Sequence, residues 1–192
     1  MYVKSGSGLD KKRASRAGDS RTPAITAFRH GLASLNLSDQ KAIFDRLPVE
    51  IKAALWRDRI REAVNERALS IEQKKVLKRI GERLTPAVYE DRSRARRKQF
   101  ANFCHRIEPQ VRAAFETQPK LFQEISTLLG ERNQTARIAQ VGGLPTCDCS
   151  LAARQTDADD CDEKTNCKRV PCVATKSGCG RWWAQACDGI CK

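Results

Sequence analysis

The chain has 192 residues, nine cysteines and a formal net charge of +13, and these properties exclude several classes of protein. No stretch offers the roughly 18 consecutive apolar residues that a membrane-spanning helix needs. The basic N-terminus lacks the apolar core of a secretory signal peptide. Eight of the cysteines lie in the last 46 residues, so the chain divides into a long cysteine-poor region and a short cysteine-rich one.

The basic charge lies outside the cysteine-rich part. Residues 147–192 hold seven basic and seven acidic side chains, so residues 1–146 carry the whole excess. A basic surface keeps a protein soluble and also attracts nucleic acid or anionic lipid. The densest basic run, residues 91–98, has neither interleaved aromatic residues nor a recognition-helix pattern. We therefore favour a solvated or docking face there over nucleic-acid binding.

The chain begins with a segment that we expect to be disordered. Residues 1–21 are rich in Gly, Ser, Lys and Arg and hold too few apolar side chains to form a core. In residues 22–132 apolar residues recur every three to four positions, which predicts six or seven helices and no strand. The expected fold class is mainly α, with an all-α leader or carrier region at 22–132 followed by a small disulfide-rich module.

Capping residues and prolines predict where these helices begin. Five starts are indicated, at Thr22-Pro23, Ser38, Pro48, Ser70 and Thr85-Pro86. At Ser70 the signal is a capping box completed by Gln73. Pro109 and Pro119 are expected to open two further helices, and Gly130 to follow the last one as its C′ residue.

Residues 133–146 lose the helical pattern and predict a polar linker that contains Gly142, Gly143 and Pro145. Exposed segments of this composition are where proteases cut. The double glycine also resembles the leader site that peptidase-containing bacteriocin exporters cleave. Cleavage after Gly143 would release residues 144–192, with such an exporter as partner. A plain flexible linker is the alternative.

The module of residues 147–192 is defined by its cysteines, Cys147, Cys149, Cys161, Cys167, Cys172, Cys179, Cys187 and Cys191. Structural zinc sites usually contain one pair of cysteines two to four apart and a second such pair, and the module has no Cys-x2-Cys. We therefore expect four disulfide bonds, no metal and no cofactor, and keep zinc as the alternative. Eight cysteines allow roughly a hundred pairings, and excluding the close neighbours Cys147 and Cys149 leaves the pairing open. Disulfides persist in oxidising surroundings, so we expect a secreted product.

Arg181, Trp182 and Trp183 form the conspicuous aromatic cluster of the module. Tryptophan prefers the water–bilayer interface and arginine favours anionic headgroups, so the cluster is a candidate membrane contact. The competing interpretation places one or both indoles in the small core. We expect this for one of them and keep the other as the contact.

No catalytic motif is present. The chain contains no His-Glu-x-x-His, no Gly-x-Ser-x-Gly and no phosphate-binding loop. Cys104 and His105 do not form a nucleophile–base pair, because adjacent residues on a helix point about 100° apart. Cys104 shares an apolar face with Phe100 and Phe103. We expect a buried structural thiol and no enzyme activity.

Three motifs of the module carry a family resemblance. They are Cys-Asp-Cys-Ser at 147–150, Ser-Gly-Cys-Gly-Arg-Trp-Trp at 177–183 and Ala-Cys-Asp-Gly-Ile-Cys at 186–191. In this order they resemble the fulvocin C-related bacteriocins, small secreted peptides with eight half-cystines. Residues 47–56 and 70–74 also resemble the upstream part of such proteins.

The resemblance implies a precursor that ends in an antibacterial peptide, with the target-cell membrane or envelope as its partner. The alternative is a cytosolic helical regulatory or nucleic-acid-binding protein with a zinc-binding tail.

Overall fold

The computed structural model describes residues 22–66, 68–90, 94–130, 140–141, 143–145, 147–151, 161 and 166–192. Its helices are α1 (Thr22–Ala33), α2 (Leu37–Arg46), α3 (Val49–Glu66), α4 (Ile71–Arg83), α5 (Arg94–Ala114) and α6 (Pro119–Thr127). Its strands are β1 (Gln140–Val141), β2 (Leu144–Pro145), β3 (Cys167–Lys168), β4 (Thr175–Cys179), β5 (Gln185–Cys187) and β6 (Ile190–Cys191). The fold is mainly α with a small disulfide-rich part, which confirms the predicted fold class.

Some predictions fall on other parts of the chain. The segment expected to be disordered, 1–21, lies outside the described residues, as do linker residues 133–139. The basic run begins outside them, at 91–93, and continues into α5. Among the helices that are described, none combines the length and the apolar character needed to cross a bilayer.

Two predicted helix starts follow from local hydrogen bonding and backbone restriction. The capping box is present: the Gln73 backbone N–H donates to Ser70 Oγ at 3.2 Å, and the Ser70 N–H donates to Gln73 Oε1 at 2.9 Å. Pro119 is the first residue of α6, where its missing N–H costs nothing. Both predictions are confirmed.

Three other boundaries were predicted wrongly. The cap of α2 is Asn36, not Ser38, because Asn36 Oδ1 accepts the Asp39 N–H at 2.9 Å. Thr85-Pro86 opens only a three-residue 3₁₀ turn. Gly130 is not a C′ residue, since the C-cap of α6 is Leu128. A Cβ at Gly130 would lie 2.6 Å from that of Ala33, so the glycine allows close approach to α1.

Pro109 lies inside α5, where the sequence predicted a break. An interior proline removes a backbone hydrogen bond and costs about 3 kcal/mol. The apolar face nevertheless continues across it, with Ile107 and Val111 both buried, one turn apart. Burial of this face offsets the proline, so α5 continues to Ala114.

The centre of the helical region, residues 22–130, is α3. It packs against α1, α4 and α6, and it buries Leu55, Trp56 and Ile60 in the main hydrophobic core. Helix α3 therefore contacts helices from both halves of the region.

A buried ionic network fastens α1 and α3 to the chain that follows α6. Arg29 is fully buried; its Nε donates to Asp58 at 2.9 Å and its Nη1 to the carbonyl oxygen of Leu129 at 2.6 Å. Arg59, also buried, donates from Nε to the carbonyl oxygen of Leu128 at 3.1 Å. These bonds hold the chain at Leu128 and Leu129, just after α6, against α1 and α3.

Glu62 completes this network and gives stability a pH dependence. Burial by itself would raise the pKa of Glu62, but hydrogen bonds from Arg29, His30 and Arg59 outweigh it and lower the pKa from 4.5 to about 2. A folded-state pKa below the unfolded one means that ionised Glu62 stabilises the fold at and above about pH 5, and that this contribution is lost as pH falls toward 2.

We expect Glu62→Gln to lower the free energy of unfolding by about 1–3 kcal/mol at pH 7, and by steadily less between pH 5 and pH 2. Urea denaturation at several pH values measures this. The matched control is Glu72→Gln, since Glu72 forms an exposed ion pair with Lys75 and should contribute under about 0.5 kcal/mol. A difference that stays constant from pH 7 to pH 2 would contradict the role of Glu62.

Candidate functional site

All eight cysteines of the cysteine module, residues 147–192, are bonded in pairs. The bridges are Cys147–Cys172, Cys149–Cys167, Cys161–Cys191 and Cys179–Cys187. The prediction of four bridges is confirmed, and the pairing that the sequence left open is fixed. Each loop closed by such a bridge contributes ~3 kcal/mol in the chain-entropy model. A framework of this density is typical of proteins in oxidising compartments.

The strands of the module are short and held by these bridges. β3 pairs antiparallel with β6, which sets Cys167 opposite Cys191. β4 and β5 form an irregular antiparallel hairpin that the Cys179–Cys187 bridge clamps from strand to strand. Because the pairing is so limited, the covalent bonds hold the tip of this hairpin in place.

Two of the bridges lie side by side. Sulfur atoms of Cys149, Cys161 and Cys167 are all within 4.8 Å of one another. Zinc binds thiolates, and these sulfurs are already bonded to one another or to Cys191. A zinc site here would require reduction of both bridges.

The tip of the β4–β5 hairpin carries the feature that joins the two parts of the chain. We call the three-residue turn Arg181–Trp183 the tryptophan turn. Trp182 and Trp183 are 1% and 0% exposed, and both belong to the main core of the helical region. The side chains that receive them form the aromatic socket: Phe44, Trp56, Tyr89 and Phe122.

Within the aromatic socket the rings meet edge to face. Trp183 lies against Phe44 and Trp56, with ring centroids 5.1 Å and 5.5 Å apart. Trp182 lies against Trp56 at 5.5 Å and Phe122 at 6.2 Å. Edge-to-face pairs at these distances stabilise by about 0.5–1.5 kcal/mol each beyond simple burial. Trp56 thus contacts both indoles of the tryptophan turn.

Two hydrogen bonds fix the orientation of the turn. Trp183 Nε1 donates to the carbonyl oxygen of Thr127 at 3.0 Å, at the last residue of α6. The Tyr89 hydroxyl donates to the carbonyl oxygen of Trp182 at 2.9 Å. Burial raises the pKa of Tyr89 well above its ordinary value, so the hydroxyl keeps the proton that it donates.

Arg181 closes the edge of the aromatic socket. It donates to Glu108 on α5 at 2.7 Å, and its guanidinium carbon lies 5.1 Å from the centroid of the Phe122 ring. Burial would raise the pKa of Glu108, but the hydrogen bond from Arg181 contributes to a net lowering. Glu108 therefore stays ionised at neutral pH and holds the arginine over the aromatic ring.

A second contact joins α2 and α3 to β4. Lys52 Nζ donates to Ser177 Oγ at 2.9 Å, and Asp45 accepts from the Ser177 backbone N–H and hydroxyl at 3.0 Å and 3.1 Å. Lys41 Nζ donates to the carbonyl oxygen of Asp148 at 2.7 Å. Both lysines are buried on helices, and the module supplies acceptors for their charged groups.

The backbone of the tryptophan turn is strained. Trp182 and Trp183 have φ of +61° and +48°, the only positive values among the described non-glycine residues. Bulky residues rarely adopt this left-handed conformation, which costs on the order of 1–3 kcal/mol per residue. Such a conformation persists only where the surroundings hold it, and here the aromatic socket does so.

The membrane contact expected at Arg181, Trp182 and Trp183 is not formed in this conformation. Both indoles face the helical region, the one kept as a contact as much as the other, and Arg181 is occupied by Glu108. The sequence pattern did not single out Phe44 and Trp56, which form part of the surface that receives the tryptophan turn. The available signal was the small number of large apolar residues in the module, two of which are adjacent tryptophans.

Gly143, the second residue of the double glycine, lies in the turn of the β1–β2 hairpin. Val141 is opposite Leu144, which places Gly143 immediately before the returning strand. Gly143 is exposed with φ of +82°, a value that favours glycine in such turns. Gly142 lies outside the described residues. The positive φ of the turn explains why a glycine is favoured at position 143. Cleavage there stays a prediction.

Cys104 is not bonded to another cysteine and is partly buried on α5. Burial is the main cause that raises its pKa to about 12. It is therefore a protonated thiol at neutral pH.

Searches against protein-family models, curated protein sequences and solved structures found no match to this chain.

The tryptophan turn should stabilise the helices as well as the module. We expect Trp182→Ala or Trp183→Ala to lower the free energy of unfolding by about 3–5 kcal/mol, because each leaves a large cavity in the shared core. The helical circular dichroism signal followed in urea measures this. Ile71→Ala, at a position 73% exposed, is the control and should change stability by less than about 0.5 kcal/mol. Helices that unfold unchanged in the tryptophan variants would refute the shared core.

Counting thiols tests the bridge framework. Denatured without reductant, the chain should show one reactive thiol, that of Cys104, and nine after reduction. A thiol-reactive dye with absorbance detection gives both numbers. Three or more thiols before reduction, in protein purified without reductant, would mean that at least one bridge is absent.

Proposed function

We propose that the chain is the precursor of a small disulfide-stabilised bacteriocin whose active part is residues 144–192. One observation carries the proposal: all four bridges join cysteines of the cysteine module to one another, and none reaches the helical region. Cross-links confined in this way leave the module covalently complete after its release. The motifs at residues 147–150, 177–183 and 186–191, which resemble the fulvocin C-related bacteriocins, support the same function.

The proposed route is export followed by cleavage in the linker. The bridges favour an oxidising destination outside the cytosol. The exposed turn at Gly143 is a candidate cleavage point, and a peptidase-containing exporter is the partner that such a site would require. The product would act on the envelope of target bacteria. Arg181, Trp182 and Trp183 would be its contact after leaving the aromatic socket.

Mass spectrometry of material secreted by the native host tests this proposal. We expect a fragment close to Leu144–Lys192 whose mass is lower by eight hydrogens than that of the reduced peptide, since its eight cysteines are paired. The same fraction should inhibit bacterial growth, and reduction with alkylation should abolish that inhibition. Finding only the intact chain outside the cell, or an oxidised fragment without activity, would refute the proposal.

A cytosolic protein with a zinc-binding tail is the second candidate. The adjacency of the Cys149–Cys167 and Cys161–Cys191 bridges favours it, because four reduced sulfurs there would lie close together. Protein purified under reducing conditions and analysed for metal decides between the two. One or two tightly bound zinc ions per chain would favour the zinc-binding tail, and zinc-free protein that oxidises to four bridges would favour the precursor.

A further inference from the structure

We propose that the helical region is a dedicated binding partner of the cysteine module, which it holds and masks after the linker is cut and which it also recognises on another copy of the chain. The inference rests on the proposed release of the module. It adds a function for the helical region, namely to keep the tryptophan turn covered until the two parts separate.

The first support is that a single covalent connection joins the helical region to the cysteine module. The eight module cysteines are bonded among themselves, and Cys104, on the helical region, is free. The only covalent connection is therefore the backbone through residues 131–146. A single cut there leaves two pieces that noncovalent contacts alone must hold together.

The second support is the composition of those contacts. The residue types that dominate binding energy in protein interfaces are Trp, Tyr and Arg, seated centrally and surrounded by polar pairs that exclude water. The tryptophan turn supplies two tryptophans and Arg181, and the aromatic socket supplies Tyr89 and Trp56. The contact between the two parts therefore has the residue composition of a protein–protein interface.

The polar surroundings give the contact its specificity. Asp45 accepts two hydrogen bonds from Ser177, and Glu108 binds Arg181. Lys52, which also donates to the carbonyl oxygen of Asp45, donates to Ser177 of the module. An arbitrary apolar peptide could not replace the hydrogen bonds that the module supplies and would therefore bind less favourably.

The third support is the strained backbone of the turn. Trp182 and Trp183 keep positive φ values while their indoles fill the aromatic socket. Once the module leaves, the contacts of the aromatic socket no longer compensate this strain, and only the Cys179–Cys187 bridge and the backbone hydrogen bonds of the turn itself remain. The turn is then free to relax and present both indoles, so the masked and released modules differ in conformation as well as exposure.

The test uses the full oxidised chain with residues 133–138 replaced by the recognition sequence of a specific protease. After complete cleavage we expect the two fragments to co-elute in size-exclusion chromatography at about 1 μM. Trp182→Ala in the cut chain should weaken their association at least about 30-fold. Asp45→Ala removes only polar contacts, leaves the aromatic core intact and should weaken association about tenfold.

Glu72→Ala, on an exposed part of α4, is the control and should leave association unchanged. Circular dichroism of each uncut variant establishes that it folds. If Trp182→Ala does not fold, the association of the fragments is compared between the unmodified chain and Asp45→Ala alone. Fragments that separate at 1 μM would overturn the proposal, as would fragments whose association neither interface variant weakens.

Recognition between copies has its own measurement. Cut chains of natural isotopic composition are mixed with cut chains labelled with ¹⁵N. The mixture is dissociated in urea without reductant and then refolded by dilution. Native mass spectrometry should then find hybrid complexes of a labelled helical region with an unlabelled module. Failure to form hybrids would refute recognition in trans.

The engineered cut does not depend on natural processing. A missing native peptide would therefore refute the proposed function alone, and fragments that fall apart would refute this inference alone.

Discussion

The structure depends on the insertion of two adjacent indoles into the aromatic socket of the helical region. Trp56, at the centre of α3, contacts both Trp182 and Trp183, so one side chain links the core of the helices to the cysteine module. The module has few other large apolar residues, and the helices would expose the aromatic socket without it. Each part therefore buries apolar surface that the other part would leave exposed on its own.

Disulfide bonds stabilise the cysteine module internally, whereas noncovalent contacts join the module to the helical region. Inside the module, disulfides stabilise strands of two to five residues that have too little pairing to persist alone. Between the parts, only packing and hydrogen bonds act. This division allows a linker cut to convert one molecule into a complex of two.

Local chemistry made much of the fold predictable, and distant contacts made the rest unpredictable. The capping box at Ser70 and the start of α6 at Pro119 are decided by neighbouring residues. The break expected at Pro109 was wrong because burial along α5 outweighs a local cost. The number of bridges follows from counting cysteines, but their pairing depends on the folded path. Whether Trp183 meets a bilayer or Phe44 depends on residues more than a hundred positions away, which no local pattern encodes.

A nuclear Overhauser measurement on the intact oxidised chain tests directly whether the cysteine module completes the core of the helices. We expect cross-peaks between the ring protons of Phe44 and Trp183, whose centroids are 5.1 Å apart, and slow exchange of the Trp183 indole proton with solvent. Absent cross-peaks, together with an indole proton that exchanges as fast as that of free tryptophan, would show that the module does not complete this core.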